Sequence, residues 1–201
     1  MRKMKIVMPV LFVGLAMVMG CAKPPQVEMD AAKAAIQAAS DAGAADYAAA
    51  SLRDAQNAVA SLDAEVAAQT KKFVLMRSYK QAATLAAQAK AAGEKAAADA
   101  AAGKERTKGE AEALLAQAKT AADAATAALA TAPVGKGSQQ EIEAMKADMA
   151  TVVQAIADGE AAHGAGRYLE SKAKFEAALN QANNVMAAIE QAKAMRAGKK
   201  S

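Results

Sequence analysis

Alanine fills 62 of the 201 positions, more than half of the 54% of residues that are hydrophobic, and no other property narrows the fold as far. It is the strongest helix former and the apolar side chain that buries least surface. A chain built from it cannot enclose a thick core, the less so with no tryptophan and only three phenylalanines and three tyrosines. Long helices lying close together are the arrangement open to it. No stretch shows the alternating Val, Ile and Thr of a strand. The expected fold class is therefore all-α, with elongated alanine-rich helical hairpins forming a bundle or coiled coil of about five helices after the N-terminal leader.

Apolar steps of three and four run through Leu52, Ala55, Val59, Leu62, Val66, Gln69, Phe73 and Met76. The same cadence links Ile142, Met145, Met149, Val152 and Ile156, and again Phe175, Leu179, Ala182, Met186 and Ile189. Each is an a/d seam, the first interrupted by one glutamine, and each predicts a helix face in need of a partner, most cheaply another seam. Residues 86–132 offer only Leu114, Leu115 and Leu129 as large apolar side chains, which predicts an exposed or loosely docked helix. Glycine and proline place breaks at Gly43, across 103–109, at 132–138 and at 164–166. The division that follows is a leader over 1–20, a tether over 21–29 stiffened by Pro24 and Pro25, and an N-terminal helical hairpin over 30–102. A weakly packed helix over 103–132, a linker over 133–140 and a C-terminal helical hairpin over 141–197 complete it.

A short internal repeat marks both hairpins. Gly43, Ala44, Ala45, Asp46, Tyr47 has the form of Gly164, Ala165, Gly166, Arg167, Tyr168, and each joins an alanine-rich helix to a seam helix. Glycine ends a helix in the left-handed conformation, and the tyrosine after it packs over the turn with its hydroxyl in water. Tyr47, Asp46, Tyr168 and Arg167 are accordingly the candidate partner contacts.

The leader is legible as such: Arg2, Lys3 and Lys5 precede an apolar run over 6–19, shorter than the roughly 20 residues a spanning helix needs. Val18, Met19, Gly20 and Cys21 resemble the bacterial lipobox, which implies removal of residues 1–20 and acylation of Cys21 as the lipidated N-terminus. With Ala22 rather than an aspartate after that cysteine, the resemblance implies the outer membrane. Cys21 is the only cysteine, so no thiol is left for a disulfide, a redox motif or a thiolate metal site. Loss of the leader leaves 22 basic against 21 acidic residues with no dense basic stripe, which argues against a nucleic-acid partner.

Catalytic chemistry finds little support. There is no phosphate loop, nucleophile elbow or zinc helix motif. His163 is the only histidine and has Glu160 one turn before it, without the further ligands or triad partners that metal or acyl chemistry requires. A surface position near a helix C-terminus is expected for it. Carboxylates such as Glu141 and Asp148 sit beside Lys146 on solvated faces, where nothing separates their pKa values for acid and base work. The expectation is a chain that is not an enzyme and has no cofactor, metal or small-molecule substrate.

From Cys21 through Pro24 and Pro25, an alanine-rich helix, Gly43, Ala44, Tyr47, Ala48, Leu52 and Ala55, with Tyr79 later, residues 21–98 resemble a helical domain of no settled activity found in many Gram-negative envelope lipoproteins. That resemblance implies an outer-membrane lipid anchor facing the periplasm. Gly166, Tyr168, Glu170, Phe175, Glu176, Ala178 and Leu179 resemble the second half of a tetratricopeptide repeat, which implies close hairpin packing. The function expected is that of a structural or adaptor module. Its partners would be the membrane, an envelope protein or peptidoglycan-associated protein at the turns, or a second copy. The alternative comes from 93–132, whose Ala, Lys, Glu, Thr and Gly content, with Thr120 and Thr131 eleven apart, resembles desiccation-protection proteins. It implies a stress-protective lipoprotein that coats membrane or protein surfaces.

Overall fold

The structure is a computed structural model that describes residues 23–132 and 139–198. The lipobox with Cys21 and most of the 133–140 linker lie outside the described residues. Among those described, six α-helices form and no strand does: α1 (Gln26–Asp41), the single turn α2 (Ala44–Tyr47), α3 (Ala49–Thr70), α4 (Lys80–Ala130), α5 (Gln139–Gly164) and α6 (Tyr168–Gly198). The all-α class holds. Helix begins at Gln26, with Pro25 at the N-cap, so the tether is shorter than 21–29.

Helix α4 organises everything else. Its 51 residues run unbroken, about 77 Å at 1.5 Å per residue, through the glycines expected to break the chain across 103–109. It is also the most enclosed helix, contrary to the loosely docked segment expected over 103–132. Its buried face is Ala82, Ala86, Ala89, Gly93, Ala96, Ala100, Gly103, Thr107, Ala111, Ala118, Ala122 and Ala125. Small residues there let neighbouring backbones approach closely, and dispersion summed along many turns replaces the burial of large side chains.

Two hairpins use that face from opposite ends. Met29 packs with Ala82, Ala86 and Ala89, and Ala39 with Ala96 and Ala100, so α1 ascends in parallel with α4. Helix α3 returns antiparallel: Leu52 joins the Ala96 and Ala100 cluster, and Leu62 joins the Ala82 to Ala89 cluster. In the second half α5 descends, as the ion pair of Lys119 with Glu160 (2.6 Å) and the approach of His163 Nε2 to Glu112 (3.6 Å) require. Helix α6 ascends again from Lys172, whose Nζ donates to Glu110 at 2.7 Å. The second core is richer, with Met149, Val152, Ile156, Val185 and Ile189 packed around Ala118, Ala122 and Ala125.

The seams find different partners from those expected. Those of α5 and α6 meet each other, but that of α3 faces the alanine stripe of α4. Its last two members fall beyond the helix, which ends at Thr70, and Phe73 and Met76 stand in solvent. The glutamine in that seam is structural. Buried Gln69 donates to Glu65 Oε1 at 2.7 Å and accepts the Ser78 backbone N–H at 3.1 Å, which closes the connection from α3 to α4.

Candidate functional site: the cleft between two hairpin tips

Because one hairpin climbs α4 and the other descends it, their tips arrive at the same level. Gly43 (φ 83°) and Gly166 (φ 75°) adopt the left-handed conformation that ends α1 and α5. At the second tip Arg167 N–H reaches Ala162 O at 2.9 Å and Gly166 N–H reaches His163 O at 2.9 Å, the Schellman pattern that satisfies the last carbonyls of a helix. At the first tip Tyr47 N–H donates to Gly43 O at 3.0 Å, and the tyrosine ring lies against the glycine.

Gly103 explains the seating of the first tip. A Cβ there would collide with the carbonyl oxygen of Tyr47 and stand 3.1 Å from the Tyr47 Cβ, so only glycine admits the turn. Gly159 plays the same part in the second hairpin, where the Phe175 ring fills the space a Cβ would take.

Between the tips lies an open cleft lined by Asp41, Gly43, Asp46, Tyr47, Lys104, Arg167 and Glu170, among others. The four residues singled out from the sequence, Asp46, Tyr47, Arg167 and Tyr168, thus come together from positions about 120 apart in the chain. The Lys104 Nζ stands 5.9 Å from the centre of the Tyr168 ring, within cation–π reach. Burial raises the Tyr47 hydroxyl above its ordinary pKa, and the neighbouring Asp46 and Tyr168 add to the rise. The phenol therefore stays protonated as a donor through neutral pH. Acidic, basic and aromatic groups side by side suit recognition of a folded or peptide surface.

His163 lies in the last turn of α5, near the helix C-terminus as expected, but is partly buried rather than on the surface. Its side chain is 24% exposed, its ring lies 5.1 Å from that of Tyr168 at 59°, and its Nε2 faces Glu112 on α4; Glu160 pairs with Lys119 instead. Nε2 is enclosed without a hydrogen-bond partner, and so is the hydroxyl of fully buried Ser171. Sequence reasoning missed both Lys104 and Glu112, which become neighbours of the tips only if α4 runs unbroken. No group of three His, Cys, Asp or Glu side chains is placed to hold a metal among the described residues.

A second shallow cleft flanks Tyr47 on its other side and includes Ser51, Asp99 and Arg106. Asp99 is held below its ordinary carboxylate value by the Lys95 ammonium, 2.5 Å away, and by the Ser51 hydroxyl. No described helix is long and apolar enough to cross a membrane. No family model, curated protein or solved structure matches this chain.

Proposed function

We propose that this protein is a non-enzymatic lipoprotein of the outer membrane, anchored through Cys21, that acts as a structural or adaptor rod in the periplasm. The convergence of Asp46, Tyr47 and Arg167 on one solvent-open cleft, with Tyr168 beside it against Lys104, carries the reading. Those tips stand about 38 Å along α4 from its first residue, counted as 25 residues of rise to Glu105. Cys21 lies only a few residues before α1, at that first end, so an anchored rod would hold the cleft away from the bilayer. Its chemistry supports a protein partner: tyrosine and arginine, here Tyr47 and Arg167, are among the residues enriched as interface anchors, and the flanking charges would set orientation.

Photo-crosslinking probes at Asp46 and Arg167 in living cells test this. The expected result is one defined envelope protein captured from both positions, with capture lost in Tyr47→Ala. Self-adducts alone, or no adduct, would refute the adaptor role. Membrane fractionation of Cys21→Ser tests the anchor separately, and release into the soluble fraction is expected.

A further inference from the structure

The end of the rod where the described chain begins differs in surface from the rest. Of the eight exposed large hydrophobic residues described, five are there: Val27 on the first turn of α1, and Phe73, Val74, Leu75 and Met76 in the connection from α3 to α4. Leu75 is 81% exposed and Met76 72%. This connection is fixed in shape. Arg77 donates to the carbonyls of Lys72 (3.0 Å) and Thr70 (2.7 Å), Gln69 holds the Ser78 N–H, and Tyr79 is buried beneath. The Val74–Met76 turn of 3₁₀ helix is thereby held outward as an apolar tip.

Basic residues ring the tip. Lys71, Lys72, Arg77 and Lys80 flank it, and no acidic residue occurs between Glu65 and Glu94. Glu28 and Asp30 of α1 lie at the same end, where Lys23 also stands, and the balance remains positive. A second copy of the chain would bring this positive rim against itself, whereas an anionic surface with an apolar interior complements both features. We infer that residues 71–77 form a lipid-docking loop that inserts Phe73, Leu75 and Met76 into an anionic phospholipid leaflet, with Lys71, Lys72 and Lys80 on its headgroups. Distance agrees. Gln26 is five residue steps beyond Cys21, a reach of at most about 17 Å, so an acyl chain on Cys21 would keep the loop at the membrane surface. This rests on the anchoring proposed above only for that distance, and it fixes how the rod would stand, with the loop down and the tip cleft away from the bilayer.

The test separates docking from anchoring. Every core residue lies between Met29 and Ile189, so the chain starting at Ala22 keeps both cores and lacks Cys21. In that chain Leu75→Cys provides a single thiol for an environment-sensitive fluorophore. With phosphatidylethanolamine vesicles containing phosphatidylglycerol, the emission should shift to the blue and be quenched by lipid-borne quenchers, while a label at Ala165→Cys beside the tip cleft stays aqueous. Replacing Lys71 and Lys72 by glutamine should weaken vesicle binding about 30-fold, from the loss of two surface charges. High salt should act in the same direction. An aqueous label at position 75 in these vesicles overturns the inference, as does vesicle-independent dimerisation that Leu75→Ser abolishes. Acylation of Cys21 is read independently from the mass of the N-terminal peptide of the whole protein, and its failure would remove the anchor without touching the loop result.

Discussion

Two glycines six residues apart in α4 should respond to the same substitution with opposite sign. An exposed helical Gly→Ala gains about 1 kcal/mol from helix propensity and a less free unfolded chain. At Gly109 nothing lies within 4 Å of the added methyl, so the whole gain should appear. For a chain of this size that raises Tm by about 2–4 °C. At Gly103 the same methyl meets the Tyr47 carbonyl oxygen and the Tyr47 Cβ at 3.1 Å. These atoms belong to a turn pinned by its own hydrogen bonds, so they cannot swing away as the end of a flexible side chain could. Overpacking of this kind costs typically about 1–3 kcal/mol, which outweighs the propensity gain and leaves Gly103→Ala destabilised by up to about 2 kcal/mol. Thermal melts followed by circular dichroism give the comparison directly. Tyrosine titration adds a second reading, since a displaced first tip lets water reach Tyr47 and returns its pKa toward 10.0. If Gly103→Ala stabilises as much as Gly109→Ala and leaves that titration unchanged, the first tip is not seated on α4 and the convergence of the two tips fails with it.

Ser171→Ala should raise stability by about 1 kcal/mol, seen as a higher midpoint in denaturant, because a fully buried hydroxyl without a partner keeps its desolvation cost and gains nothing in return. Glu110 is held below its ordinary carboxylate value by hydrogen bonding to Lys172 and then by its charge, and Lys172 is raised by the same contact. The carboxylate's contribution to stability is present above about pH 4.5 and lost as pH falls through the depressed folded value; the ammonium's is present below about pH 10.5 and lost as pH rises through the raised one. Lys172→Met should therefore flatten both limbs of the stability profile measured by denaturant melts across pH, and unchanged limbs would show the pair to be inert. The acid limb should not vanish, since Asp99 keeps its own depressed value through Lys95 and Ser51.

Sequence reading succeeded where large side chains repeat and failed where small ones do. Val152, Ile156, Phe175 and Ile189 are buried as their spacing indicates, because only a helix brings such residues to one face. In α4 the same periodicity exists but is written in alanine and glycine. Ala86 and Ala89 are buried while Ala87 and Ala91 are exposed, and hydrophobicity does not distinguish one alanine from another. A paucity of large residues predicts weak packing, whereas here it reflects a helix enclosed on more than one side, where bulk would force its neighbours apart. Gly93 and Gly103 held the usable signal. Both fall in step with Ala89, Ala96, Ala100 and Thr107, the register of close approach and not of a break. The tip residues are legible through their repeat, yet their meeting depends on the unbroken length of α4, against which its glycines argue.

The spacing of that buried stripe bears on why the hairpins exchange places where they do. From Ala82 to Gly103 the steps alternate four and three, the heptad cadence of a left-handed seam. An α-helix lags a strict heptad by about 20° per repeat, so a seam kept in this phase drifts round the helix as it rises. From Gly103 through Thr107 to Ala111 two steps of four occur in succession, a stutter that turns the stripe back, and alternation resumes from Ala118 through Ala122 to Ala125. The stutter coincides with the level at which α1 and α3 give way to α5 and α6. Heptads below it suit one pair of helices and heptads above it suit another, with the phase reset between them. A single helix can then serve two hairpins entering from opposite ends without either reaching into the register of the other. The tip cleft lies at this same level, with Lys104 as its contribution from α4, so the change of phase and the candidate binding site share one position along the helix.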